Sequence, residues 1–276
     1  MNDPFIQGNK WLKLRPNLIA AKAKGINKLL TFGGCYSNHI YATAAAGKRF
    51  GFETIGIIRG PEPENYSNTL NFAKKAGMQL QFINRQQYRS KNDPEFIEEL
   101  SRTYQPVYII PEGGSNNLAV ESCAQYIQNI SPEYDVIGCS CGTGGTIAGF
   151  IKGLNNSRNI IGFPALKGGD FLYQEIQSFL KLKDNKQQFD NWTLKTDYHF
   201  GGYAKCNSQL KDFIVNFYER HNIPLEPVYT GKMMFGLFDL IQKGHFKKDS
   251  HILAIHSGGL QGLDGFPDLK KEMGLK

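Results

Sequence analysis

Short apolar runs that end in glycine-rich loops recur along this chain and constrain its fold more than any other feature. Four predicted strands lead directly into such loops, at residues 29–32, 107–110, 136–139 and 252–256. Three more strands are predicted at 54–58, 79–83 and 160–163, with segments of helical spacing between them, such as 40–50, 68–77 and 118–130. Continuous apolar strands that alternate with helices are typical of parallel sheets covered on both faces. The chain is therefore predicted to be an α/β protein, with 181–203 a loop that holds one short strand.

Glycine is over-represented, at 30 of 276 residues, or about 11% against a usual value of about 7%. Most of the excess lies in the loops 33–38, 111–116, 142–146 and 257–259, each at the end of a predicted strand. Ligands of parallel α/β sheets bind at the carboxyl ends of the strands. We therefore expect the four loops to share one ligand-binding cleft.

The net charge of +7 does not by itself indicate a nucleic-acid partner. The lysines are dispersed and form no basic stripe interleaved with aromatic residues, so they are interpreted as solvated faces. A surplus of positive charge attracts an anionic small molecule as well as it attracts nucleic acid. We expect a small-molecule partner and no nucleic acid.

Neither a membrane span nor a secreted, disulfide-bonded protein is indicated. The longest weakly polar stretch, 136–154, is interrupted by six glycines, and no apolar leader opens the chain. The five cysteines are an odd number without a C-x-x-C pair, which favours a reduced, cytoplasmic setting. Cys139 and Cys141 have no further ligands at useful spacing, so no metal site is expected.

The strongest local signal is the loop that contains Gly142, Thr143, Gly144, Gly145 and Thr146, between a predicted strand and a predicted helix. Converging backbone N–H groups, threonine hydroxyls and a helix N-terminus suit a phosphate group. A tight turn with glycines that only pack is the alternative. The lysine of a nucleotide-triphosphate loop and the third glycine of a dinucleotide site are both missing, so a mononucleotide-sized phosphate ligand remains.

The same stretch fits a second motif, because Gly138, Ser140 and Gly142 match the G-x-S-x-G turn of serine hydrolases. Ser140 would then be the nucleophile. A later aspartate and histidine would complete the triad, chosen from Asp170, Asp197 or Asp239 and from His251 or His256.

Two further segments carry groups capable of chemistry. Lys10 and Lys13 share one face if their segment is helical, so one amine is available for a Schiff base and the other for an anion. On periodicity alone, however, the segment is an ordinary amphipathic helix with solvated lysines, and the spacing does not establish catalysis. Tyr229 is a candidate acid or nucleophile, and Thr230 is either a ligand contact or a helix N-cap.

In this order the motifs resemble the pyridoxal 5′-phosphate enzymes of the tryptophan-synthase β-subunit-like fold (fold type II). They are most similar to the family of 1-aminocyclopropane-1-carboxylate deaminase and D-cysteine desulfhydrase. The matching segments are Gly8-Asn9-Lys10 with Lys13-Leu14, Gly33-Gly34 with Ser37-Asn38-His39, Gly113 to Asn116, Gly142 to Thr146, Glu226 to Lys232, and His256 to Gly259. Six ordered motifs over about residues 3 to 265 are far more specific than any one.

The resemblance implies a role for each matching residue. Lys10 would hold the cofactor as a Schiff base and then move protons, and Asn38 would bond the pyridine 3′-oxygen. Ser37 would bind the substrate carboxylate. Gly142, Thr143, Gly144, Gly145 and Thr146 would bind the phosphate, assisted by Lys13. Thr230 would face the pyridine nitrogen, and Tyr229 would stack or react near the substrate.

The resemblance also implies an activity on a small amino-acid substrate. The deaminases carry an acidic residue where Thr230 stands, and desulfhydrase-like members carry threonine. A neutral hydroxyl stabilises a pyridinium less than a carboxylate does, which favours β-elimination from a cysteine-like substrate to pyruvate, ammonia and sulfide. Deamination of the cyclopropane amino acid and a catalytically impaired cofactor-binding homologue are the alternatives.

The implied architecture has two domains with parallel twisted sheets flanked by helices. A smaller domain is predicted over 14–112, and a larger cofactor-binding domain over 1–13 and 113–276, with the cofactor in the cleft between them and a homodimer as the assembly. The family has a longer leading segment, including a strand, ahead of the lysine. Without that segment, the larger domain is expected to lack an edge strand.

Overall fold

The computed structural model describes residues 5–131, 133–180 and 188–275. The chain divides into two compact units, the first ending at Ala119 and the second beginning at Val120. Each unit contains one four-stranded sheet, and every strand pair is parallel. The predicted α/β fold with two parallel sheets is thereby confirmed, while the finer boundaries at 14–112 stay a prediction.

The first unit alternates helices and strands from its start. Its elements are α1 (Asn9–Ala23), β1 (Lys28–Gly33), α2 (Asn38–Phe50), β2 (Glu53–Arg59), α3 (Asn68–Lys75), β3 (Met78–Ile83), α4 (Arg85–Arg89), α5 (Pro94–Tyr104), β4 (Tyr108–Ile110) and a 3-10 turn (Glu112–Gly114). Helix α6 (Asn117–Gln128) contains the boundary between the units. The strand order is β3-β2-β1-β4.

The second unit has the same alternation with longer loops. Its elements are β5 (Val136–Cys141), α7 (Gly145–Leu154), β6 (Asn159–Pro164), α8 (Phe171–Leu180), β7 (Trp192–Leu194), α9 (Ser208–His221), α10 (Thr230–Gln242), β8 (Ile252–Ile255), a 3-10 segment (Leu260–Gly265) and α11 (Pro267–Glu272). The strand order is β7-β6-β5-β8. Strand β7 is the short strand predicted within 181–203, of which 181–187 lie outside the described residues.

The strand order of each sheet changes direction once, and the glycine loops follow the strands at that point. In the first sheet the change falls between β1 and β4, and in the second between β5 and β8. Connections that leave two neighbouring strands in opposite directions open a crevice at the carboxyl ends, where ligands of such sheets bind. All four predicted loops therefore follow strands that border a change of direction.

Apolar residues fill both faces of each sheet, as the continuous apolar strands predict. Successive residues of a strand point to opposite faces, and in β1 Leu29 packs in a cluster with α1 and α2 while Leu30 packs with residues of α4 and α5. In the second unit, Val136 and Phe163 pack against Leu237 of α10. Within the described residues, no helix is both long and apolar enough to cross a membrane.

Gly149 sets the distance between α6 and α7, and its replacement is expected to destabilise the protein. A β-carbon there would lie 2.4 Å from Cys123 Cβ and 2.6 Å from the Val120 carbonyl oxygen. Gly149→Ala should lower the free energy of unfolding in urea by about 1–3 kcal/mol, because backbone must move. Lys152 lies on the same helix as Gly149 and forms an ion pair with Glu121 of α6. Lys152→Ala removes that ion pair and should cost less than about 1 kcal/mol. Equal costs for the two variants would contradict this close helix contact.

Candidate active site

The predicted phosphate loop joins β5 to the N-terminus of α7. Gly144 occupies the N-cap position in a left-handed conformation (φ 76°), and no side chain caps the helix. A β-carbon on Gly144 would lie 3.1 Å from Ile176 Cγ1. A helix N-terminus without a side-chain cap carries partial positive charge and N–H donors that suit a phosphate group. The loop therefore fits the phosphate of the predicted cofactor.

Tyr229 packs against this loop, so the structure brings two of the predicted site segments together. A β-carbon on Gly142 would lie 3.2 Å from Tyr229 Cε1. The Tyr229 hydroxyl donates to the Tyr203 hydroxyl over 3.5 Å, and the two rings meet edge to face with centroids 6.0 Å apart. Tyr203 was not among the predicted site residues. Its signal in the sequence is weak, an aromatic residue after two glycines in an irregular segment.

Thr230 is bonded to a buried acid one turn earlier in the chain. Helix α10 begins at Thr230, with Tyr229 at the N-cap position, so the N-cap interpretation of Thr230 is wrong by one residue. The Glu226 carboxylate caps the helix instead, accepting from the backbone N–H groups of Val228, Tyr229 and Thr230 at 2.7–2.8 Å. The Thr230 hydroxyl lies 3.2 Å from Glu226 Oε1 and is fully buried. Its predicted contact with the pyridine nitrogen stays a prediction.

Burial raises the pKa of Glu226, and the hydrogen bonds from Thr230, Val228 and Tyr229 oppose that rise. The buried Glu226 carboxylate therefore caps the N-terminus of α10. The motif that contains Glu226 was recognised from the sequence, but this role was not.

In the first unit, α1 carries both predicted lysines. Lys10 is half-buried, and its Nζ donates to Asn9 Oδ1 over 2.9 Å. Lys13 is only 3% exposed, and its Nζ donates to the Gly113 carbonyl at 3.0 Å and to Ser115 Oγ at 2.8 Å. The helix is confirmed, but the interpretation of Lys13 as solvated is wrong, because the amine holds the loop after β4. Its contact with a phosphate stays a prediction.

The loop after β1 ends at the N-terminus of α2, where the predicted substrate and ring contacts stand. Ser37 is the N-cap, and its Oγ accepts from the backbone N–H groups of His39 and Ile40 at 3.2 and 3.3 Å. Asn38 is the first residue of α2. Both residues lie at the carboxyl end of β1, as a ligand site of a parallel sheet requires.

His39 is a buried neutral imidazole. Burial, with Lys10 and Lys13 nearby, holds the pKa of His39 well below its usual value. The Thr31 hydroxyl lies 2.8 Å from His39 Nε2 and donates to the Ile110 carbonyl. Because the single hydroxyl proton of Thr31 is used there, Nε2 carries the imidazole proton and donates to Thr31.

The serine-hydrolase alternative is wrong in its geometry. Strand β5 extends to Cys141, so Ser140 is a paired strand residue and not the apex of a turn. Its Oγ lies 3.1 Å from Ser257 Oγ. Both ring nitrogens of His256 bond to the backbone. Nε2 bonds to the Pro224 carbonyl oxygen, and Nδ1 accepts from the Gly258 N–H. No catalytic triad is assembled on Ser140 among the residues that the structure describes.

Lys232, in the first turn of α10, is a second buried lysine. It is 1% exposed, and its Nζ donates to the carbonyl oxygens of Gly202 at 2.7 Å and Ala165 at 3.2 Å. Burial lowers the pKa of Lys232 to about 8, although Glu226 and Cys206 oppose that change. Sequence spacing gave no indication of this burial.

Two parallel α/β units, one with a glycine loop at a helix N-terminus that fits a phosphate and one with a lysine-bearing helix, are the features that the sequence predicts for a pyridoxal-phosphate enzyme. A family model described as pyridoxal-phosphate dependent enzyme matches residues 6–258. The chain belongs to this family of enzymes, and its cofactor is pyridoxal phosphate.

Individual relatives agree with this assignment. A protein of Pyrococcus horikoshii that carries the provisional name 1-aminocyclopropane-1-carboxylate deaminase is 30% identical, with 95% of this chain and 83% of the relative covered. D-cysteine desulfhydrase of Klebsiella pneumoniae is 28% identical, over 93% of this chain and 83% of its own. A crystal structure of an ACC deaminase homologue superposes with a TM-score of 0.77 at 30% identity, covering 96% of this chain and 84% of the other.

The lowered pKa of Lys232 predicts a pH-dependent contribution to stability. The unfolded chain binds this proton up to about pH 10.5 and the folded protein only up to about pH 8. The free energy of unfolding therefore increases as the pH rises between those values. In urea titrations, wild type should gain on the order of 1 kcal/mol relative to Lys232→Met from pH 8 to pH 10. Lys211→Met should follow wild type, because Lys211 is a partly exposed lysine that forms a surface ion pair with Glu272. A constant difference between wild type and Lys232→Met would contradict the lowered pKa.

Proposed function

We propose that this enzyme catalyses β-elimination from a small cysteine-like amino acid of D configuration, releasing sulfide and, with one water, yielding pyruvate and ammonia. Thr230 carries this choice, because a neutral hydroxyl stands where the deaminases resembled here have an acid. The Thr230 hydroxyl is neutral and is already bonded to Glu226. Thr230 therefore supplies no carboxylate to the site. The name of the Klebsiella relative agrees with this proposal.

We assign the covalent amine to Lys10. Pyridoxal phosphate, when bound, accepts the electron pair released at the substrate Cα, and the protein selects the bond that breaks. Lys10 takes the proton from that carbon, since an amine displaced by substrate is available as a base. Asn9, which accepts from Lys10 Nζ, orients the amine.

The remaining residues bind and orient. The glycine loop with Thr143 and Thr146 binds the phosphate through backbone N–H groups, helped by the dipole of α7. Ser37 and the first amides of α2 bind the substrate carboxylate, and Asn38 binds the 3′-oxygen of the ring. The Tyr229 phenol, set against Gly142, faces the substrate as a proton donor or acceptor.

Ring-opening deamination of the cyclopropane amino acid to a keto acid and ammonia is the second candidate. The names of the Pyrococcus relative and of the superposed crystal structure favour it. A cofactor-binding protein without turnover is the third candidate. The cytoplasmic setting and the homodimer stay predictions.

Lys10→Ala is expected to abolish the visible absorption band of the bound cofactor. Borohydride reduction of wild type followed by peptide mapping should place the modified lysine at position 10. Lys22→Ala, an exposed lysine of the same helix, should keep the wild-type spectrum. Modification at Lys13 or Lys232, or an unchanged band in Lys10→Ala, would refute the assignment.

The substrate is tested by comparing D-cysteine, L-cysteine and the cyclopropane amino acid. We expect kcat/KM for sulfide release from D-cysteine to exceed that for keto-acid release from the cyclopropane substrate by about ten-fold or more. Lys10→Ala serves as the control and should release no sulfide. A preference for the cyclopropane substrate would establish the second candidate, and a coloured protein without keto acid from any of the three would indicate the third.

A further inference from the structure

Tyr203 stands on a tight turn whose first carbonyl is that of Gly202. The Lys205 N–H donates to the Gly202 oxygen over 3.1 Å, which closes a four-residue turn with Tyr203 at its second position. Gly202 and Ala204 on either side have φ angles of 126° and 55°. A left-handed conformation is uncommon for a residue with a side chain, such as Ala204. The turn therefore depends on its surroundings to keep this shape.

The Lys232 ammonium supplies such a constraint. It donates to the same Gly202 oxygen that closes the turn, at 2.7 Å, and to the carbonyl of Ala165, which directly follows β6. Two backbone segments far apart in sequence are thus joined through one buried amine. Hydrogen bonds from a charged donor are stronger than neutral ones, and burial removes competing water.

The same helix carries the other phenol. Tyr229 precedes Lys232 by three residues, at the start of α10. The amine that holds the Tyr203 turn and the Tyr229 ring that the turn meets are therefore fixed to one rigid element. Any loosening of the Gly202 carbonyl moves Tyr203 relative to Tyr229, because Tyr203 is the next residue along the turn.

We propose that Lys232 is a positioning residue, which holds the Gly202 carbonyl so that the Tyr203 phenol stays against that of Tyr229. This inference rests on the proposed role of Tyr229 toward the substrate. Lys232 itself touches neither substrate nor cofactor in this proposal. It acts through the turn, and Tyr203 is the residue through which its effect reaches the site.

Cys206 reports on the turn without any need for activity or cofactor. It directly follows Lys205 and is partly buried, whereas Cys123, Cys139 and Cys141 are buried. Burial raises the pKa of the Cys206 thiol, while Lys232 and Lys211 lower it. Loss of the Lys232 charge alone thus disfavours the reactive thiolate and slows alkylation. Release of the turn exposes the thiol and accelerates alkylation, so the two effects have opposite signs.

The experiment is iodoacetamide labelling of the full-length protein at neutral pH, with each cysteine quantified by peptide mass spectrometry. In Lys232→Met, Cys206 should be labelled about five-fold faster or more than in wild type, with the three buried cysteines still protected. Lys211→Met, the matched control, removes a nearby charge without touching the turn and should label at the wild-type rate or more slowly. Equal or slower labelling of Cys206 in Lys232→Met would overturn the proposal.

If the buried cysteines of Lys232→Met also react, that variant has unfolded and Lys232→Gln decides. Its side-chain amide keeps a donor but lacks the charge and the third donor of the ammonium. Faster labelling confined to Cys206 supports the proposal, and a wild-type rate overturns it.

A double-mutant cycle tests whether the effect reaches the site through Tyr203. With the substrate that wild type turns over, Lys232→Met should lower kcat/KM about ten-fold or more in the wild-type background, but much less in Tyr203→Phe. Equal losses in both backgrounds would assign Lys232 a purely structural role and overturn the proposal. If wild type shows neither the cofactor band nor turnover, the proposed function is wrong. The labelling experiment would still show whether Lys232 holds the turn at Gly202.

Discussion

The reversal of strand order in each sheet is the constraint on which the candidate site depends. Strand β4 pairs with the opposite edge of β1 from β2, and β8 with the opposite edge of β5 from β6. Connections from neighbouring strands then leave in opposite directions, which is the arrangement that opens a ligand crevice at the carboxyl ends of such sheets. The glycine loops, the N-termini of α2 and α7, and the lysine that braces the loop after β4 all stand at these ends. Within each unit, topology therefore brings residues that lie far apart in the sequence to the same end of the sheet.

Each unit uses a buried ammonium group to shape loops at this edge. Lys13 binds the Gly113 carbonyl in the first unit, and Lys232 binds the Gly202 carbonyl in the second. Burying a charge is costly, and apolar side chains of the same length would pack without that cost. Carbonyl groups of irregular loops, however, have no strand or helix to satisfy them, and an ammonium satisfies two or three at once. Burial of the two lysines costs desolvation free energy, but the hydrogen bonds of their ammonium groups hold these loops in one defined conformation.

The sequence was sufficient for the fold and its strands, but not for contacts between residues that only the tertiary fold brings together. Apolar periodicity and glycine loops predicted the strands to within one or two residues, since those signals are local. Burial of Lys13 was missed because helical spacing shows which residues share a face, not what covers that face. The Tyr203 to Tyr229 contact was missed because 26 residues separate its partners and only the tertiary fold joins them. Ser140 was misplaced because the length of β5 is fixed by its pairing with β6.

His39 shows how the first unit fixes the start of α2 without adding a charge. The imidazole joins α2 to Thr31 of β1, and Thr31 donates in turn to Ile110 of β4, so the helix start is tied to both strands at the reversal. A protonated imidazole beside Lys10 and Lys13 would add a third positive charge, and burial, together with those lysines, lowers the pKa of His39 and keeps the ring neutral. His39, the residue after Asn38, thus ends a hydrogen-bond chain that runs through the Thr31 hydroxyl to the Ile110 carbonyl. Because burial, with Lys10 and Lys13 nearby, lowers the pKa of His39, the imidazole that ties the start of α2 to Thr31 is uncharged at neutral pH.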